Sequence, residues 1–238
     1  MKKYIALIII LYASCNNYQH EDKFVLKLGD LLFQDLDSSP LCDAIELVTP
    51  GYKGANLSHV GIVIKDESNC CNNSDSLYEV KYFNNIEQDI RILEALPGGV
   101  KTTSIDSFLN RSFDNKKNPK VIVGRLKKKY RYTLKNGIKF LKSKIGEDYD
   151  DYFLKNNKKY YCSELIYEAF SNDSIFHMYP MTFIDPKTNE TMDIWIDYYN
   201  KLNIEIPEGK QGINPGIMSI SEKIEIVHIY GTPDGMSK

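Results

Sequence analysis

From Phe24 to Leu126 the apolar residues come in short, β-branched runs broken by glycine, proline and polar clusters, and only after Tyr132 do they recur at helical spacing. Strands therefore come first and helices later, without the alternation that builds a parallel sheet. The predicted fold class is α+β, an antiparallel sheet packed against helices. Strands are predicted over Val25 to Phe33, itself broken by a Gly29-Asp30 turn, over Ser58 to Ile64 and Ser76 to Tyr82, over Ile90 to Ala95 ahead of the turn Pro97-Gly98-Gly99, and over Val121 to Leu126. Helices are predicted over Tyr132 to Lys144, where Leu134, Ile138 and Leu141 share a face, over Cys162 to Phe170 and over Thr191 to Leu202. Ile206 to Gly216 reads as a clamped loop and Lys223 to Tyr230 as a terminal strand.

At 238 residues, one domain with a single core is expected, here residues 24–238. The formal net charge of -2 gives no electrostatic reason to expect nucleic acid as a partner, and Lys127-Lys128-Lys129 is too short a run to change that. Lys2-Lys3 precede the apolar stretch Ile5 to Leu11, the layout of a secretory signal over residues 1–14. That stretch is too short to span a bilayer. Ala13-Ser14-Cys15 resembles a bacterial lipobox, so Cys15 is the expected lipidation site. Residues 15–23 would form a tether holding an exported protein to a membrane of the cell envelope. Cys70 and Cys71 lie in a polar loop and one of them could pair with Cys42; no Cys-x-x-Cys spacing points to a metal.

The chemistry concentrates on Cys162. A helix starting there puts Cys162, Leu165, Ile166, Ala169 and Phe170 on one face, so the thiol points towards the sheet. It also sits in the first turn, where unpaired backbone N–H groups and the positive end of the helix dipole favour a thiolate nucleophile. His59 is the matching base. On a strand it shares a face with Gly61 and Val63, glycine leaving room beside the imidazole for a helix or a substrate backbone, while Val60, Ile62 and Ile64 face the core. A third group should orient the imidazole. Two carboxylates on strands, Glu94 and Glu79, both meet that description. His20, His177 and His228 read as structural or solvent-facing, and Asp106 and Asp114 as capping or solvated residues.

Gly29-Asp30-Leu31-Leu32-Phe33, Ser58-His59-Val60-Gly61-Ile62-Val63, Leu93-Glu94-Ala95 with Gly99-Val100, and Tyr149-Asp150 leading to Tyr161-Cys162-Ser163-Glu164-Leu165-Ile166 occur in the order of YiiX/YaeF-like proteins. The chain thereby resembles circularly permuted, papain-like amidases related to the NlpC cell-wall peptidases, over roughly residues 25–170. Ile206 to Lys210 and Asn214 to Gly216 also look like their lipoprotein members. The resemblance implies a papain-like fold with Cys162 as nucleophile, His59 as base and Glu94, in preference to Glu79, as the orienting carboxylate. Tyr161 and the Cys162 N–H are the implied oxyanion donors. The implied reaction is hydrolysis of an amide or ester through an acyl-enzyme, with no metal or organic cofactor required. Substrates of a peptide, peptidoglycan-fragment or lipid kind follow, the last because permuted relatives also resemble lecithin:retinol acyltransferase. A non-catalytic surface lipoprotein that keeps the fold as a binding module is the contrasting expectation.

Overall fold

The computed structural model describes residues 24–66 and 90–237. The signal segment and tether with Cys15, the predicted strand Ser76 to Tyr82 with Glu79, and the Cys70-Cys71 loop lie outside the described residues.

Six strands make one antiparallel sheet. Its middle is β1 (Leu31–Gln34), flanked by β2 (His59–Lys65) and β5 (Val121–Leu126). Beyond β2 the hairpin β3 (Ile90–Leu96) and β4 (Gly99–Thr103) turns through Pro97 and Gly98, the latter at φ 98°, a left-handed conformation that suits glycine. A separate two-stranded ladder joins β6 (Tyr179–Pro180) to β7 (Gln211–Gly212), and β8 (Ile224–Ile229) closes the far edge of the main sheet against β5.

The sheet is covered on both faces, which explains why β2 is apolar along nearly its whole length. Val60, Ile62 and Ile64 pack with Leu165, Ile166 and Phe170 of α4 (Cys162–Phe170) and with Ile138 and Leu141 of α3 (Leu134–Ser143). Val63, on the opposite side, packs with Leu32, Ile92 and Phe108, the last on α2 (Ile105–Leu109). Gly137 lets α3 and α4 close together, because a Cβ there would collide with the Phe170 ring. A third cluster, Ala44, Phe183, Trp195 and Tyr199, joins α1 (Pro40–Val48) to α5 (Asp193–Leu202).

The observed elements depart from the expected ones in a few places. Val25 to Leu28 forms no strand: the Lys27 N–H turns onto the Asp30 carboxylate at 2.7 Å, and that carboxylate is itself gripped by Arg125 at 2.6 and 2.7 Å. A local turn has taken the donor a ladder would need. The helix expected from Tyr132 begins at Leu134, because Lys128–Thr133 coils as 3₁₀. Helix α1, opened by Pro40 in its first turn, was not expected. The segment ahead of α6 (Pro215–Ser219) is clamped as predicted, with both backbone groups of Ile213 held: its N–H by the Tyr161 hydroxyl at 3.2 Å and its carbonyl by the Ser163 hydroxyl at 2.7 Å.

Candidate active site

The register of β2 on β3 builds the first half of the site. Ile62 pairs with Leu93, so the next residues, Gly61 and Glu94, lie side by side. A Cβ on Gly61 would stand 3.5 Å from that of Glu94 and would collide with Ile92 and Phe108. The glycine therefore makes room for the Ile92 side chain and for the Phe108 ring of helix α2, beside Glu94. In that space Glu94 leans along the strand towards His59, and its Oε2 meets His59 Nε2 at 2.7 Å.

Glu94 is wholly buried and would be costly as a charge without strong partners. It has them. Arg111 donates to Oε2 at 2.7 Å and to Oε1 at 2.5 Å, and Thr103 donates its hydroxyl to Oε1 at 2.5 Å. Burial alone would raise this carboxyl, but the Arg111 and His59 hydrogen bonds outweigh it and hold the pKa down at about 2. Arg111 is itself supported from below by the Phe108 ring, 5.0 Å away. A fixed negative charge thus stands behind the imidazole throughout the physiological range.

The second half is the start of α4. Tyr161 is the N-cap residue in an extended conformation, and the Glu164 carboxyl reaches back to the Tyr161 N–H, the reciprocal half of a capping box. Cys162 follows as the first helical residue, only 7% exposed, its Sγ 3.9 Å from the Ser58 carbonyl oxygen. Helix α4 lies on the Val60 face of β2 whereas His59 points to the Glu94 face, so thiol and imidazole meet around the end of the strand, where His59 is the first residue. Burial would lower the pKa of His59, but hydrogen bonds to Cys162 and Glu94 raise it to about 9. With Nε2 engaged by Glu94, Nδ1 is the ring nitrogen left for the thiol.

Glu164 lies three residues past Cys162, and a negative charge there would oppose a developing thiolate. Burial, with the nearby Asp150 charge, pushes its carboxyl up to about 8, so it is largely neutral at pH 7. Tyr161 is buried and accepts the Ile213 N–H, and burial keeps its own hydroxyl protonated well past the usual tyrosine range. That proton remains available to donate.

The structure thus brings Cys162, His59 and Glu94 together, with Tyr161 beside them; Glu79 lies outside the described residues. Arg111 and Thr103, which hold Glu94, escaped the sequence reading, and Tyr149 entered it only as part of a motif. Arg111 sits in an aperiodic loop just after α2, and only the general need of a buried carboxylate for a cation hinted at it. Tyr149, packed against the core that holds Cys162, has its hydroxyl kept protonated by burial and by the proximity of the Cys162 charge. His228 is structural, stacked on Phe24 at 4.2 Å. Among the described residues Cys42 and Cys162 form no disulfide. Among the described residues one set of carboxylates is spaced to hold a metal ion, Asp35, Asp37 and Asp234. The Lys120 ammonium already stands against all three, at 3.1, 2.6 and 3.1 Å, so the set fits an ammonium and not a metal.

Comparison with known proteins bears on the family and the fold. Residues 25–228 match a family described as permuted papain-like amidase enzyme, YaeF/YiiX, C92 family. Among solved structures the fold is similar to that of metalloprotein yiiX from Escherichia coli O157:H7, with a TM-score of 0.64 and 18% sequence identity over 86% of this chain and 98% of that one. A search of curated proteins finds no match.

Proposed function

The chain belongs to the family of permuted papain-like amidases of the YaeF/YiiX type, C92, which makes it a cysteine hydrolase of amide bonds, and from that premise we propose that Cys162, His59 and Glu94 carry the reaction on a cell-wall peptide. The thiol proton passes to His59 and the sulfur attacks the carbonyl carbon of the amide. The oxyanion of the tetrahedral intermediate takes hydrogen bonds from the Cys162 N–H and the Tyr161 hydroxyl. The C–N bond breaks, His59 returns its proton to the departing amine, and a thioester remains on Cys162. Water, giving a proton to His59, then releases the carboxylic acid and the free thiol.

The observation that carries this reading is the 2.7 Å contact of His59 with a carboxylate held charged by Arg111. A merely structural histidine needs no such permanent anion behind it. The cell-wall substrate and an anchorage through Cys15 in the envelope follow from the signal-like start and the Ala13-Ser14-Cys15 sequence. The metal named for yiiX is said of that protein alone; among the described residues, the three carboxylates spaced for a metal already hold the Lys120 ammonium.

Incubating the protein with muropeptides and with phospholipids, and following both by mass spectrometry, tests the substrate. The expected result is loss of mass in the muropeptides alone, absent with Cys162→Ala. Cleavage of phospholipid alone would replace the peptide substrate by a lipid.

A further inference from the structure

The residues on either side of the nucleophile are tied to a single residue of a distant segment. Ile213 donates its N–H to the Tyr161 hydroxyl oxygen at 3.2 Å and accepts the Ser163 hydroxyl on its carbonyl oxygen at 2.7 Å. All three residues are buried, and Cys162 stands between the two that are tethered. The strap that carries Ile213 is held on both sides. Ahead of it, Gly212 pairs with Tyr179 in the β6–β7 ladder, where a Cβ would collide with the Met181 sulfur, and the Met181 N–H reaches the Lys210 carbonyl at 2.8 Å. Behind it, the Asn214 side chain caps α6 by accepting the Ile217 N–H at 2.9 Å, and a Cβ on Gly216 would strike the Thr49 carbonyl. Ile213 therefore offers its N–H from a fixed place.

That N–H decides how the Tyr161 hydroxyl can act. A phenolic hydrogen lies close to the ring plane, on one side of the oxygen or the other. The Ile213 hydrogen occupies one side, so the hydroxyl hydrogen is left for the other. Among the described residues that hydrogen meets no acceptor, although the ring is only 5% exposed. A buried donor without an acceptor costs free energy that phenylalanine at the same place would not. Accepting the Ile213 N–H also polarises the phenol and makes it a better donor in turn.

We infer that the Ile213 strap, fastened by Ser163 to the first turn of α4, aims the Tyr161 hydroxyl at the oxyanion, so that Ser163 is a positioning residue of the reaction and acts through Tyr161. This role rests on the hydrolase reading, in which Tyr161 donates to the tetrahedral intermediate.

The test compares two reactions of the same sulfur in the full chain. With p-nitrophenyl acetate the Cys162 sulfur bonds to the ester carbonyl carbon, its proton passes to His59, an oxyanion forms, and the ester C–O bond breaks to release p-nitrophenolate and leave a thioester. With iodoacetamide it displaces iodide from a saturated carbon and no oxyanion forms. Both are quenched early and read on the Cys162 peptide by mass spectrometry, and the ratio of the two rates cancels any loss of folded protein. Ser163→Ala is expected to lower the ratio of acetylation to alkylation about tenfold, part of what a whole oxyanion donor contributes. Ile213→Pro, which deletes the N–H and keeps the carbonyl, is expected to do the same. Tyr161→Phe should lower it about 10²-fold, with no further loss when Ser163→Ala is added. An unmoved ratio in either strap variant that folds, an equal fall of both rates, or the full Ser163→Ala loss repeated in Tyr161→Phe overturns the positioning role alone. Alkylation of Cys162 without any acetylation in the parent protein overturns the hydrolase reading, and the positioning role with it.

Discussion

Arg111 grips both oxygens of Glu94, at 2.7 and 2.5 Å, although 17 residues and a helix separate the two in the chain. The pairing fixes which way the carboxylate faces and leaves Oε2 aimed at His59. Replacing Arg111 by Met leaves a buried anion with one strong partner fewer, a cost of about 2 kcal/mol. The expected outcome is a lower melting temperature together with a fall in kcat greater than any rise in KM, since Arg111 acts on the reaction only through Glu94 and His59. Arg111→Lys, which keeps the charge but not the two-pronged grip, should restore stability better than activity.

The two perturbed groups of the site act on stability in opposite pH windows. Glu94 is held at about 2 against an ordinary 4.5, so its contribution is present above 4.5 and is lost as pH falls towards 2. His59 is raised from 6.5 to about 9, so its contribution is complete below 6.5 and is lost as pH rises through 9. Denaturant unfolding over a pH series checks this. His59→Gln should remove the share of the decline between pH 6.5 and 9 that belongs to this residue, including all of it above about 8, and leave the acid side largely in place.

Glu164 supplies a third pH signature of a different origin. Its carboxyl is raised from 4.5 to about 8, so the folded chain holds a proton that the unfolded chain has lost, and stability declines as pH rises across that window. Glu164→Gln should flatten the decline by the share belonging to this residue, leaving that of Glu46, which is raised over the same range. The same unfolding series measures it.

The order of the chemistry was legible because it rests on local patterns. The i, i+3, i+4 spacing after Cys162 defined α4 to the residue, and the β-branched run after Ser58 defined β2 to within one. Glu94 stood out as a carboxylate among apolar neighbours, and its competition with Glu79 could not be resolved from pattern alone. What pattern does not encode is long-range pairing. Arg111 lies in a loop without periodicity, and only the folded sheet brings it to Glu94. The same holds for Ile213, whose hold on Tyr161 and Ser163 crosses some fifty residues. At Gly61 the need for space is legible in the sequence, but the neighbours that require it, Ile92, Phe108 and Glu94, stand on elements that the strand itself does not specify.

Gly61→Ala tests that packing directly. The added methyl group would collide with Ile92 and Phe108, next to the Glu94 side chain. Overpacking of this kind costs roughly 1–3 kcal/mol. Melting temperature should drop, and activity should fall further than the loss of folded protein explains, because Phe108 supports Arg111 and borders His59.

The central claim is that His59 takes the proton of Cys162. The most direct measurement is the rate of Cys162 alkylation by iodoacetamide at pH 7, read peptide by peptide by mass spectrometry so that Cys42 serves as an internal reference, in the parent protein and in His59→Ala. Cys162 labelling is expected to slow by about 10²-fold in the variant, in the range of general-base effects, while Cys42 is unchanged. Equal rates at Cys162 in the two proteins would contradict the pairing and with it the catalytic reading of the site.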